Sequence, residues 1–494
     1  MHPFVAAAAG LWLVAALSAS ATAVELTPVS EILTQTPGAV ADFAHAPDEN
    51  AVYVLDGPKQ AVTRYKLEPG GLVKSAAWPL TGKGTAIATA PGRVLVTEAG
   101  EGPATAGRLV AFSAEGEMVG SVPAGINPVD IAVSPDGLMA AIANAGIRLP
   151  DGTDPEGSIS LIDLGAMTGT EIGFGDVDPE AFDISIHRAA PQGTEWAAAL
   201  EPRSVSFSPD SARVLALLPA NNGAVIIDAM TGDRSAPIGL GFQDFSGFPA
   251  DLSDRDDRIR LTNWPVRSMR QPLAAAALSH RGRSYFVTAN TGMPRTGEVY
   301  DETVRAGTLQ IDPVIFPGPD ALLSEEQLGR LMVSAERGDQ DGDSDNDTLY
   351  AFGGRSFSIL SADGAITFDS GARIARHLAA AEPERFNADA AGTVDAASPE
   401  SGNAPSAIAV LERFGHRYVF VGLRDIAGIA VFDVIHPRFA RWAGFIPLNP
   451  DGEHRHAGLQ KLEVAIVPDG AGGATEYLLA AFERSGSLVL YQID

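Results

Sequence analysis

The chain has 494 residues, of which 62 are acidic and 35 are lysine or arginine, giving a net charge of −27. That balance tells against nucleic acid and anionic membrane surfaces as partners, since both reward clustered positive charge, and it favours divalent cations. The chain contains no cysteine, so disulfides, a cysteine-linked lipid anchor and thiolate metal sites are excluded and packing alone must hold the fold.

In chain order, the first element is an apolar run from Phe4 to Leu17 followed by the small triplet Ala21-Thr22-Ala23. Residues 1–23 are read as an export signal cleaved after Ala23, with a membrane anchor as the alternative. Beyond it, no stretch is long and apolar enough to span a bilayer. The segment VELTPVSEILT comes next, and then a phrase that recurs: an apolar strand, a Pro-Asp turn or its equivalent, and a second apolar strand. Copies run from Ala39 to Asp56, Thr85 to Glu98 and Val129 to Asn144, and others start at Arg203, Ala274, Ser406 and Leu462. Pro47, Pro91 and Pro135 are spaced 44 residues apart, and hairpins repeating at about 40–45 residues are the signature of propeller blades. A third strand follows several copies, as at Ser158–Leu164, Ala224–Ala229 and Ile429–Val434. One blade cannot bury both faces alone, so neighbours stack until a ring closes. The last copy supplies only three strands, which VELTPVSEILT can complete. The expectation is therefore an all-β chain in which residues 24–494 form a single seven-bladed β-propeller, its ring closed by the N-terminal strand in the last blade. Unrelated hairpins in a β-sandwich are the alternative.

Four long segments interrupt the repeat: Gly165 to Leu200, Gly241 to Met269, Thr291 to Asn346, and Gly371 to Pro405. They are expected as rim loops around the channel mouth, without a separate second domain. Ala390 to Ala404, rich in small and polar residues, is read as a flexible loop.

The sharpest chemical motif places Asp339, Asp341, Asp343, Asp345 and Asp347 at every second position. Such carboxylates are the hard oxygen ligands that Ca²⁺ prefers. An EF-hand register from Asp341 puts Asn346 where glycine is expected and Phe352 at the twelfth place, so the loop is a calcium site of another kind or a solvated acidic loop. His454 and His456 with Glu453 lack a further metal ligand nearby. Arg255, Arg258, Arg260, Arg267 and Arg270 can meet an anion or pair with Asp251, Asp254, Asp256 and Asp257. No P-loop, nucleophile elbow or zincin motif is present.

The stretches DLSDRDDRIRLTNWPVRSMRQP from Asp251, YFVTANTG from Tyr285, GDQDGDSDNDTLYAFGGRSFSI from Gly338 and YVFVGLRDIAGIAVFDV from Tyr418 resemble the choice-of-anchor I family. Its members are bacterial extracytoplasmic propellers, some labelled alkaline phosphatase-like or phytase/esterase-like. The resemblance implies glutamates at the inner ends of blades. Here the matching positions are Arg203, Ser406, Leu462, Ala145, Thr291 and Arg424, and Glu483 alone keeps the acid.

Two functions follow. One is a non-catalytic propeller, periplasmic or secreted and monomeric, without a membrane anchor or nucleic-acid partner, that binds a small anionic ligand or a protein and is braced by calcium. Its candidate ligand-binding residues are Arg203, Arg355, Arg424 and Glu483. The other is a metal-dependent phosphoesterase using residues among Asp339 to Asp347 with Arg355, a reading that convergence of Asp341, Asp343, Glu298, Asp301 and Arg355 on one pocket would favour.

Overall fold

Each of the seven hairpins pairs in antiparallel register in the computed structural model, which describes residues 24–188, 190–448, 456–468 and 473–494. The segment read as an export signal, together with Glu453 and His454, lies outside these residues. The turns are built by their own side chains. In Ser134-Pro135-Asp136-Gly137, the Ser134 hydroxyl donates to Asp136 Oδ1 at 2.6 Å and accepts the Met139 N–H at 2.9 Å. Gly137 takes the positive φ of 74° that closes the turn, a region open to glycine at no steric cost. Ser208-Pro209-Asp210 repeats the first two bonds at 2.6 and 2.9 Å.

The chain is all-β, of the β-propeller type. Among the described residues the hairpins extend into seven four-stranded antiparallel sheets. The first comprises Asp42–Ala46, Ala51–Asp56, Ala61–Glu68 and Gly71–Pro79, and the next two follow it directly along the chain. The fourth starts at Ser204–Phe207, the fifth at Ala274–His280, the sixth at Pro405–Arg413 and the seventh at Leu459–Pro468. The last strand of the seventh sheet, Ser487–Ile493, pairs antiparallel with the N-terminal strand Leu26–Leu33. Consecutive sheets share apolar cores, such as Tyr53 and Leu55 with Ile87 and Val96 between the first two. Another core joins the seventh sheet to the first through Phe43, Val52, Tyr477 and Leu490. Each Leu, Val or Phe buried in this way contributes about 1.5–3 kcal/mol, so repeated stacking can stabilise a chain that has no covalent cross-link.

Two expected rim loops carry order that the sequence did not announce. Segments 241–269 and 291–346 contribute to a five-stranded sheet ordered Phe242–Asp244, Val266–Met269, Leu349–Phe352, Met332–Ser334 and Thr303–Arg305. Its central pair, Val266–Met269 with Leu349–Phe352, is parallel. Its core contains Leu252, Trp264, Phe316, Leu331 and Leu349. The strands are three or four residues long, below the length at which alternation is readable, and the central pair joins Val266 to Leu349 across the whole of the insertion between them.

Candidate functional site

The first strands of all seven sheets line a channel cavity of about 330 Å³, which includes Asp42, Asp130, Arg203 and Lys461. The acids serve the fold. Asp42 Oδ2 accepts the Ile87 N–H of the next sheet at 2.8 Å, and Asp130 Oδ2 accepts the Val205 N–H at 2.9 Å. Glu463 Oε1 accepts the His45 N–H at 3.3 Å. Lys461 Nζ donates to Asp42 Oδ1 and Phe43 O, each at 2.7 Å. Burial raises the Asp130 carboxyl to about 6 and the Glu463 carboxyl to about 7. Burial also lowers His45 to about 4, which keeps it neutral at pH 7.

A second cavity, of about 410 Å³, lies where the insertions 165–200 and 291–346 meet the loop 145–157. It is walled by 147–150, Pro191, Glu201, Arg203 and 293–300. Arg203 lines both cavities and joins them. Glu201, 3% exposed, pairs with Arg203 Nη2 through Oε2 at 3.2 Å and with Arg295 Nη1 through Oε1 at 3.2 Å. Arg295 also donates to the Ala199 carbonyl at 2.7 Å. Arg148 pairs with Asp154 at 3.1 Å. Behind this wall Glu302, fully buried, holds His187 Nε2 at 2.6 Å, accepts from the Ser334 hydroxyl at 3.0 Å and accepts the Arg295 N–H at 2.8 Å. That cluster ties the insertions 165–200 and 291–346 together and fixes the backbone of Arg295.

The candidate ligand residues separate. Arg203 faces the cavities just described. Arg355 is buried and donates to the carbonyls of Asp251 and Ser398, both at 2.8 Å, and of Glu400 at 3.1 Å. Burial lowers its guanidinium to about 10. Its two terminal nitrogens are thus engaged by backbone, while Nε is buried without a hydrogen-bond partner. Arg424 pairs with Asp425 at 3.8 Å, and Glu483 is exposed. The arginine run is largely spent on local acids: Arg255 with Asp254 at 3.9 Å, Arg258 and Arg260 with Asp256 at 3.7 and 4.0 Å. Arg270 pairs instead with Asp369 at 2.9 Å. His456 sits 3.7 Å from Glu31.

The acidic loop connects Met332–Ser334 to Leu349–Phe352 of the five-stranded sheet. Asp339, Asp341 and Asp347 each offer one carboxylate oxygen within 4.8 Å of the others. Asp339 also accepts the N–H groups of Gly342 at 2.7 Å and Ser344 at 3.0 Å. Asp343 lies next in the chain and pushes the Asp341 carboxyl upward. Burial, followed by Asp343 and Asp312, raises that of Asp345, whose Oδ1 has no hydrogen-bond partner. These oxygens fit a hard cation, which would relieve the repulsion. The chain bends at Gly342 and Ser344, with φ of 83° and 81°. Asn346 instead bonds Gln310 O through its backbone and side chain, at 2.9 and 3.0 Å, so the EF-hand register is not adopted.

Several working residues escaped the sequence reading. Asp42, Asp130 and Glu463 each stand five positions before a turn proline, Pro47, Pro135 or Pro468, a periodic acid that was legible. Glu302 and His187 carry no such signal. Among the described residues, no helix is long and apolar enough to cross a membrane.

The choice-of-anchor I domain model matches residues 41–437. No curated protein matches the chain. Among solved structures, hydrazine synthase of Kuenenia stuttgartiensis is similar at 13% identity and a TM-score of 0.48, over 93% of this chain and 97% of that one. The β-propeller domain of Myceliophteria thermophila Cps50 (Swd1) is similar at 8% identity and a TM-score of 0.46, over 95% of this chain and 100% of that one. The C-terminal WD40 domain of Sif2 is similar at 8% identity and a TM-score of 0.41, over 95% and 98%.

Proposed function

Because the chain belongs to the choice-of-anchor I family, we propose that it is an exported, non-catalytic binding scaffold: seven blades closed into one ring, with a ligand site on the insertion-covered face and calcium bracing residues 339–347. Ring closure is supported by the pairing of Leu26–Leu33 with Ser487–Ile493 and by the core between the last and first sheets. The observation that carries the functional reading is the arginine-walled cavity beside the channel, whose lining among the described residues includes no serine, cysteine or histidine. Convergence of five residues on one pocket would favour the phosphoesterase reading. Glu298 lines the insertion cavity without Arg355, Asp301, Asp341 or Asp343, while Arg355 lines a different one.

Metal-stripped protein, given Ca²⁺, Mg²⁺, Mn²⁺ or Zn²⁺ and a panel of phosphomonoesters and phosphodiesters, is expected to show no turnover. Metal-restored hydrolysis that disappears in Asp341→Asn, Asp343→Asn protein would sink the scaffold reading. Calcium is expected to raise the melting temperature of the parent protein and leave that variant unchanged. A ligand held at 100 times its Kd adds about 2.7 kcal/mol to the folded state.

A further inference from the structure

Three guanidinium groups converge on the insertion cavity in a chain whose overall charge is strongly negative. Their internal partners do not exhaust them. Glu201 takes one terminal nitrogen of Arg203 and one of Arg295, and Asp154 takes one of Arg148. Among the described residues, Arg203 Nη1 and Arg148 Nη2 have no protein acceptor. The three guanidinium groups pair with two carboxylates, Glu201 and Asp154, while Glu298 lines the edge of the cavity exposed to solvent and Glu302 behind the wall is bound to His187. Much of the remaining wall is apolar, formed by Leu149, Pro150, Pro191, Met293 and Val299, with Thr296 and Tyr300 beside them. A volume of about 410 Å³ falls within the range of small-molecule sites, which pair apolar walls with a few placed polar groups.

We infer that this cavity binds a small organic monocarboxylate, its carboxylate held by Arg203 and Arg148 and its apolar body lying against Met293 and the prolines. The inference rests on the scaffold reading and specifies its ligand. A planar carboxylate matches the fork of a guanidinium and brings one negative charge to the spare donors of Arg203 and Arg148. A phosphate dianion would bring a second negative charge beside Glu201 and Glu298 and leave the apolar wall unused. Glu302 acts as a positioning residue, because it holds the Arg295 backbone and so the side of the cavity that anchors Glu201.

The test is calorimetric titration of the whole protein with benzoate, phenylacetate and hexanoate, each beside its primary amide, and with inorganic phosphate. The acids are expected to bind about ten-fold or more tightly than the amides, the size of one charge-assisted hydrogen bond. Arg203→Gln and Arg148→Gln should each abolish that preference with little change in melting temperature. Equal binding of acid and amide, tighter binding of phosphate than of all three acids, or no acid binding in the millimolar range would each overturn the assignment. Should Arg203→Gln fail to fold, Arg148→Gln and the acid–amide comparison on the parent protein decide the matter. None of these results touches the scaffold reading, which falls to phosphoester turnover instead.

Discussion

The sheets and the insertions solve the same problem, unpaired backbone groups, with charges of opposite sign. At the inner edge of a sheet the first strand leaves N–H groups without a ladder partner, and the acids Asp42, Asp130 and Glu463 accept them from a neighbouring sheet. The insertions leave carbonyls without partners, and arginines donate to them: Arg355 to three, Arg337 to those of Ile184 and Ile186, Arg305 to that of Arg330. A buried backbone polar group must find a partner, and the chemistry of that partner follows from which end of the peptide is orphaned. Arginine suits the irregular region because its fork reaches several carbonyls from one side chain. Much of the chain's small stock of cations is therefore committed to structure, which makes the spare donors of Arg148 and Arg203 conspicuous.

The contrast can be broken most forcefully at Arg355. Arg355→Met leaves three carbonyls without their donor, and a loss of about 3 kcal/mol or more is expected, read as a lower denaturant midpoint and as proteolysis within 371–404. An unchanged midpoint would mean that the clamp contributes nothing.

In the channel, Lys461→Met strips Asp42 of its ammonium partner and is expected to cost about 2 kcal/mol. Adding Asp42→Asn should recover part of that loss, and strict additivity would show the pair to be uncoupled.

Glu463 gives a pH signature. Its folded carboxyl, raised by burial to about 7, stands above the unfolded value of 4.5, so between these two limits the folded state binds the proton more readily. Its contribution to stability is therefore fully present below about pH 4.5 and is lost as pH rises through 7. Glu463→Gln should raise the melting temperature at pH 8 and change it little at pH 5, and the reverse order would contradict the burial argument.

The smallest effect expected concerns the acidic loop, where calcium should shift the melting temperature by a few degrees, since a stabilisation of about 2–3 kcal/mol is spread over a large unfolding enthalpy. Hydrogen exchange would sharpen the comparison: protection should rise in the five-stranded sheet flanking 339–347 and not in the seven four-stranded sheets.

The hairpins were readable because everything that builds them is local. In Ser134-Pro135-Asp136-Gly137 the turn, its hydrogen bonds and its left-handed residue lie within a few positions of one another. The buried amide Asn144 shows the same economy, donating to Ser158 and Ser160 at the start of the next strand, whereas Asn290 makes the same two bonds to Ser356 and Ser358 across the long insertion. Arg203, singled out where the family resemblance implies a glutamate, lines the cavity, whereas Arg355, singled out as a phosphate contact, is a buried clamp. Nothing near either residue in the chain distinguishes them, because what separates an available guanidinium from a spent one is which distant carbonyls surround it.

By itself, the sequence determined the repeated strand-turn-strand unit, the count of hairpins, the place of every insertion and the position of the acidic loop. All of these depend on composition, period and turn chemistry over short spans. Only the tertiary structure decided that two insertions pair into a sheet of their own, that inner-strand acids bind the backbone of the next sheet, and that Arg148, Arg203 and Arg295 share one cavity. Those outcomes join residues tens to hundreds of positions apart, and their energy comes from which charges and orphaned backbone groups are buried together.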